Sequence, residues 1–229
     1  MIRAVVFDLD GVLVDSERLW DQARRDVTIG HNGRWRADAT AAMLGMSSVE
    51  WSRYMGGTLG VDLAPDQIVD LVVASLLEQY RRKLPLVPGA VAAVQRIGRR
   101  WPLALASSAG RPVIDTVLAV AGLQHEFQAT VASEEVPRGK PAPDVYLEAA
   151  SRLGQPPPAC AAVEDSANGI RSARAAGLRV VAVPNQDYPP PASVLAEAQV
   201  VIRSLAELTG ELVEQLDEDG PTQDQTAAH

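Results

Sequence analysis

Short apolar runs rich in β-branched residues alternate with stretches of helical period along most of the chain. Residues 4–7, 103–107, 130–132, 160–163 and 180–183 form such runs, bounded by turn residues, and are predicted strands; 200–202 is a weaker one. Helical stretches near 90–100, 112–121, 144–153 and 168–176 separate them, several closed by a glycine such as Gly122, Gly154 or Gly177. This succession predicts βαβ units, and therefore an α/β fold with a Rossmann-like parallel sheet flanked by helices. Residues 15–83 break the rhythm, reading as helix after helix with no strand. The clearest is 67–82, after Pro65, with Ile68, Leu71, Val72 and Leu76 on a helical period. An all-helical insert after the first strand is the simplest account, and the Pro-containing segment 84–89 then returns the chain to the sheet as a stiff linker. The expected organisation is a core of 1–14 and 85–217, a helical insert of 15–84, and a tail, 218–229, whose polar, aperiodic composition predicts disorder.

Composition narrows the class of function. With 229 residues, 47% of them hydrophobic, the chain can bury one large domain or two unequal ones. A single cysteine, Cys160, allows no internal disulfide, which fits a reducing compartment such as the cytoplasm. No apolar run reaches about 18 residues, and the N-terminus enters a strand rather than a basic leader, so neither membrane insertion nor secretion is expected. The net charge of −8 is a poor footprint for nucleic acid or anionic lipid. Seven of the 29 acids follow Arg203, and no lysine or arginine does, so the body of the protein is nearly neutral. Nothing in the pattern specifies an oligomer, and a monomer is the default expectation.

Four segments carry candidate chemistry. The first, Phe7-Asp8-Leu9-Asp10-Gly11-Val12-Leu13-Val14-Asp15-Ser16-Glu17, places Asp8 at the carboxyl end of the first strand and Asp10 on the loop beyond it. That edge is where ligands bind in open α/β sheets. The second is Leu105-Ala106-Ser107-Ser108, at another strand end; the third is Arg138-Gly139-Lys140-Pro141-Ala142-Pro143-Asp144; the fourth is Val163-Glu164-Asp165-Ser166-Ala167-Asn168-Gly169. Alone, each has an ordinary structural explanation. A lone Asp-x-Asp caps a turn, Ser107 would cap the next helix, and Glu164 and Asp165 would favour a helix dipole. Lys140 could be a solvated loop residue, although it is one of only two lysines, with Lys83, in a chain of 19 arginines.

In this order and spacing the four segments resemble the signature motifs of the haloacid dehalogenase superfamily, and the likeness covers nearly the whole chain. The resemblance implies Asp8 as nucleophile and Asp10 as general acid/base. It implies Ser107, with its neighbour Ser108, and Lys140 as phosphate-binding groups. It also implies a Mg²⁺ ion held by Asp8, the backbone oxygen of Asp10, and Asp165, with Glu164 as an occasional or more distant ligand. Such a set suits phosphoryl transfer, because attack of a carboxylate on a phosphate monoester is opposed by repulsion unless cations neutralise both partners. An acid at Asp10 also favours phosphate chemistry over carbon–halogen cleavage, which has no leaving alkoxide to protonate.

Relatives with a helical insert at this point use it as a mobile cap that supplies substrate contacts. The resemblance makes Gly45, Met46, Ser47 and Ser48 a specificity loop and Trp20 and Arg111 further contacts; Trp35, Trp51 and Tyr54 are also candidates for the pocket wall, although each taken singly is more economically read as core. The expected activity is Mg²⁺-dependent hydrolysis of a small phosphorylated metabolite, a sugar or polyol phosphate, through an aspartyl phosphate. A β-phosphoglucomutase-type mutase is the alternative. Against it, Ser48 stands where the mutases carry an arginine, Ala109-Gly110 replace polar and basic residues, and Trp20 replaces a histidine; Arg111 could still serve a distal phosphate. A 2-haloacid dehalogenase and a non-catalytic binding module are more remote, since no motif residue is lost.

Overall fold

The protein is described by a computed structural model covering residues 1–43, 46–186 and 189–216. The candidate loop residue Gly45 and the predicted tail 218–229 lie outside the described residues. The chain opens with β1 (Ala4–Phe7), followed by four helices: α1 (Glu17–Gly30), α2 (Ala39–Met43), α3 (Ser48–Gly57) and α4 (Pro65–Arg82). It continues through α5 (Ala90–Gly98), β2 (Leu103–Ala106), α6 (Arg111–Ala121), β3 (Ala129–Val131), α7 (Asp144–Arg152) and β4 (Cys160–Glu164). It ends with α8 (Ala167–Ala175), β5 (Arg179–Ala182), α9 (Ala192–Leu195), β6 (Val200–Val201) and α10 (Gly210–Gln215). The strands form one sheet in the order β3-β2-β1-β4-β5-β6, and every pairing is parallel.

Both faces of this sheet are covered, which is why its strands read as continuous apolar runs. Side chains alternate along each strand, so Val5 and Phe7 pack on one face with Leu103, Leu105, Ile97 and Val113. Ala4 and Val6 pack on the other, with Ala104, Ala106, Val145 and Tyr146. The second face is lined by small residues, which lets α7 approach closely and brings Tyr146 beneath the strand ends.

β1 lies at the centre of the sheet, between β2 and β4, and the chain runs outward from it in both directions. The crevice beyond its carboxyl end is the topological switch point where α/β sheets bind ligands. The helical insert stands over this crevice. Its longest helix, α4, begins with Pro65 in the first turn, and Gln67 Oε1 accepts a hydrogen bond from the backbone N–H of Ala64 at 3.1 Å. The buried stripe of α4 is Ile68, Val72, Leu76 and Tyr80, and it packs against α1 and α3. Leu71, expected on that stripe, is 41% exposed instead, because the i, i+4 row from Ile68 leaves it on the outer flank.

The two crossings between sheet and insert are tied to each other. Val14 and Leu86 form an antiparallel bridge, the N–H of Asp15 donates to Pro85 O at 2.8 Å, and that of Val87 donates to Leu13 O at 3.0 Å. One apolar cluster runs from the sheet through Leu9, Val12 and Leu13 into Trp20, Trp51 and Met55 of the insert. Burying each such side chain contributes roughly 1.5–3 kcal/mol, so the orientation of the insert is fixed by packing as well as by the neck. Among the described residues, no helix is long and apolar enough to cross a membrane.

Candidate active site

The site begins where β1 ends. Phe7 pairs with Leu105 and Val163, and the next residue, Asp8, donates its backbone N–H to Val163 O at 3.0 Å, so its carboxylate leaves the sheet from the central position. The chain then turns sharply at Gly11, whose φ of +81° is the left-handed region that disfavours any other residue. A Cβ there would also lie 1.9 Å from Asp165 Oδ2, so the turn and the second acidic motif interlock only around a glycine. The turn brings Asp10 against α1. Its Oδ1 accepts hydrogen bonds from Ser16 Oγ at 2.5 Å and from the indole Nε1 of Trp20 at 3.0 Å.

Lys140 is the hub of the site. It is only 5% exposed, and its Nζ donates to Asp8 Oδ1 at 2.7 Å, to Glu164 Oε1 at 2.6 Å and to the carbonyl of Ala106 at 3.1 Å. The ring of Tyr146 lies 5.0 Å from the ammonium, and the Tyr146 hydroxyl donates to the same Glu164 oxygen at 2.7 Å. The other Glu164 oxygen accepts from the backbone N–H groups of Asp165 and Ser166 and from Ser166 Oγ. With five donors on its two oxygens, Glu164 is saturated by protein. The fit is close enough that a Cβ on Gly169 would lie 1.8 Å from Glu164 Oε1. Ser166, rather than either acid, caps α8, its Oγ accepting from the N–H of Gly169 at 3.1 Å.

Three buried carboxylates, Asp8, Glu164 and Asp165, place oxygens within 4.8 Å of one another, and Lys140 is the single cation in contact with any of them among the described residues. The charges are therefore unbalanced. Burial pushes the Asp8 carboxyl up to about 8 against the pull of Lys140. Burial, with Glu164 and Asp8 close by, pushes Asp165 well above the usual carboxylate range. Burial alone would lower Lys140, but Asp8 and Glu164 outweigh it and hold the ammonium above the ordinary lysine range. An all-oxygen, doubly acidic cluster with excess negative charge fits a hard divalent cation such as Mg²⁺. Because Glu164 is occupied by five donors, Asp8 and Asp165 are the carboxylates with capacity to hold one.

A cavity of about 480 Å³ opens between this cluster and the helical insert. Asp8, Asp10, Ser108, Lys140 and Asp165 line its floor; Glu17, Trp20, Arg24, Met46, Ser48 and Trp51 line its roof. Ser107 lies just beneath, fully buried, with Oγ accepting from the N–H of Ala109 at 2.9 Å, the turn that shapes the floor beside Ser108. Of the insert residues singled out from sequence, Met46 and Ser48 reach the cavity, whereas Ser47 caps α3 through Glu50. Trp20 does so too, but its indole N–H is committed to Asp10. Arg111 is not brought to the cavity: its guanidinium pairs with Glu135 and Asp115 and donates to Thr130.

Sequence reasoning did not single out Arg24 or Tyr146, and for Trp51 it weighed the pocket wall against the core and preferred the core. Trp51 is both core, at 2% exposure, and cavity wall. Arg24 could have been found, because Glu17, Trp20 and Arg24 fall at i, i+3 and i+7 on one face of α1 directly after the first motif. Burial pushes the Glu17 carboxyl up to about 7, although Arg24 pulls it back.

A family model of haloacid dehalogenase-like hydrolases matches residues 2–177. Hexitol phosphatase B of Escherichia coli (strain K12) is 35% identical over 226 residues, covering 91% of this chain and 95% of that protein. Fructose-1-phosphate phosphatase of the same organism is 33% identical, covering 78% of this chain and 95% of the relative. The crystal structure of CbbY from Rhodobacter sphaeroides in complex with phosphate superposes with a TM-score of 0.83 at 26% identity, covering 95% of this chain and all of the other. With the four motif segments gathered at one strand edge and the match running from β1 through α8, the chain belongs to the haloacid dehalogenase-like hydrolases.

Proposed function

We propose that the protein is a Mg²⁺-dependent phosphatase that hydrolyses a small sugar or polyol phosphate through an aspartyl phosphate on Asp8. The observation that carries this reading is the buried bridge from Lys140 to Asp8 and Glu164 at the floor of a cavity that Asp10 also lines. The sugar- and polyol-phosphate specificity of the relatives supports the substrate class. Asp8, the Asp10 carbonyl and Asp165 would hold the metal, and Glu164 orients Lys140 and the loop before α8. Bound there, Mg²⁺ supplies the positive charge that lets a carboxylate approach a phosphoryl group.

The protein's own groups divide the work. Lys140 fixes one Asp8 oxygen, which aims the carboxylate at phosphorus, and contributes charge against the phosphoryl oxygens. Ser108 provides a hydroxyl on the other side of the transferring group, and Ser107, buried beneath the floor, shapes the backbone turn there. As the bond from Asp8 to phosphorus forms, the bond from phosphorus to the ester oxygen breaks, and Asp10 donates its proton to the departing alkoxide. Both donors to Asp10 bind Oδ1, so Oδ2 is the oxygen left for this proton. Asp10 then takes a proton from water, which attacks phosphorus and releases inorganic phosphate and the Asp8 carboxylate. The helical insert α1–α4 acts as a cap that excludes bulk water and reads the leaving group from the roof. Hydrolysis is favoured over mutase chemistry because Arg111, the residue available for a distal phosphate, is engaged elsewhere.

Phosphate release from a panel of sugar, polyol, nucleotide and short-acid phosphates, measured with Mg²⁺, tests the reading. Turnover of sugar or polyol phosphates is expected, and its loss by at least about 10³-fold in Asp8→Asn with the fold retained. Isomerisation of β-glucose 1-phosphate without phosphate release would establish the mutase instead.

A further inference from the structure

Among the described residues, Arg24 is the one basic group on the cavity roof, and the chemistry assigned to the floor does not use it. Its guanidinium lies against a pair of indoles that also contact each other, 5.1 Å from the ring of Trp20 and 5.4 Å from that of Trp51. The residue is 7% exposed. Nε is buried with no hydrogen-bond partner among the described residues, and the carboxylates of Glu17, Asp10 and Asp21 act on the guanidinium only through their charge. A guanidinium carries five donors in a rigid fork, and buried donors in folded proteins are almost always satisfied. Here the ion is desolvated, set against two aromatic rings and placed on the cavity wall with its Nε unpaired. That is the arrangement expected of a preorganised oxyanion receptor.

We infer that Arg24 is a substrate-binding residue that receives a carboxylate at the far end of the leaving group, so that the preferred substrate is a phosphorylated sugar acid or hydroxy acid rather than a neutral polyol phosphate. The inference rests on the phosphatase reading and refines it. Geometry sets the place of the carboxylate: Trp20 donates its N–H to Asp10, the acid that meets the leaving oxygen, and presents its ring face to Arg24. One indole therefore separates the two groups, and a short carbon chain lying along it would connect ester oxygen to carboxylate. Charge sets the choice of anion. Glu17 and Asp70 share the lining with Arg24, so a singly charged, planar carboxylate suits the roof better than a dianionic phosphate.

Gluconate 6-phosphate and sorbitol 6-phosphate form a matched pair, differing only in a terminal carboxylate against a hydroxymethyl group. The wild-type protein with Mg²⁺ is expected to show a kcat/KM at least about tenfold higher for the acid, the scale of a lost charge-assisted bond. Arg24→Gln should bring the ratio close to one, with the change mainly in KM, and Arg24→Lys should keep part of the preference. Calorimetric binding to the Asp8→Asn protein should show the same ordering without turnover. Equal use of the pair by the wild type, a preference for the polyol, or a preference for fructose 1,6-bisphosphate over the acid each overturns the inference, and none of these needs a variant to fold. Absence of turnover on every phosphomonoester, p-nitrophenyl phosphate included, would overturn the phosphatase reading and this inference with it.

Discussion

The floor and the roof of the cavity are built on opposite principles. On the floor, Glu164 takes five hydrogen bonds, Lys140 three, and Asp8 is braced from the sheet, so each group is held by several others from rigid strand ends. On the roof, Arg24 rests against two aromatic rings and feels the charge of Glu17, and its buried Nε has no hydrogen-bond partner among the described residues. Reaction chemistry needs groups fixed before substrate arrives, whereas recognition of a leaving group needs donors kept open for it. Under the proposed function, the difference assigns the reaction to the floor and the choice of substrate to the roof.

The contrast can be broken most severely at Lys140. Lys140→Met keeps the volume but leaves Glu164 buried without its cation, so unfolding stability should fall by about 3–5 kcal/mol and phosphate release should drop below detection. A urea unfolding midpoint unchanged from wild type would show that the bridge does not brace the floor. Gly169→Ala is the next largest perturbation, because the added methyl meets the Glu164 carboxylate. A loss of about 1–3 kcal/mol in the same unfolding experiment is expected, with reduced turnover as Glu164 is displaced.

Trp20→Phe sharpens the comparison, since Trp20 belongs to both regions. It removes the N–H to Asp10 while keeping an aromatic face, so kcat on alkyl phosphates should fall roughly tenfold and on p-nitrophenyl phosphate less, because that leaving group needs little protonation. Equal losses on both substrates would place the effect outside proton transfer. The smallest effect is expected at Glu17, on the roof. Its carboxyl, raised to about 7 from the usual 4.5, binds its proton more tightly folded than unfolded. Stability from this group is therefore full below about pH 4.5 and lost as pH rises toward 7. Glu17→Gln should raise the melting temperature by a few degrees at pH 8 and hardly at all at pH 4, a gain of about 1–2 kcal/mol after allowing for partial solvent screening. Identical shifts at the two pH values would mean that the Glu17 charge is not the cause.

Much of this arrangement was legible in the sequence. The six strands follow from apolar runs, and each lies within a residue or two of its predicted position, because a sheet covered on both faces leaves an uninterrupted apolar signature. Asp8, Asp10, Lys140 and Asp165 were visible as motifs, since their spacing from strand ends is local. Glu164 was visible too, but not that five donors saturate it: Tyr146 comes from α7 and Lys140 from a separate loop. The short helices α9 and α10 were missed, being too short to show a period.

The sequence by itself determined the order of strands and helices along the chain, the acidic and basic groups at the strand ends, and the presence of a helical insert, because these depend on neighbours in the chain. Tertiary structure alone decided that Lys140 bridges two acids, that Trp20 donates to Asp10, that Arg111 stays outside the cavity, and that Arg24 lines it against two indoles. The physical reason is that a side chain's protonation, partners and exposure are set by groups packed around it from distant segments, and a linear pattern carries no record of which of those segments meet.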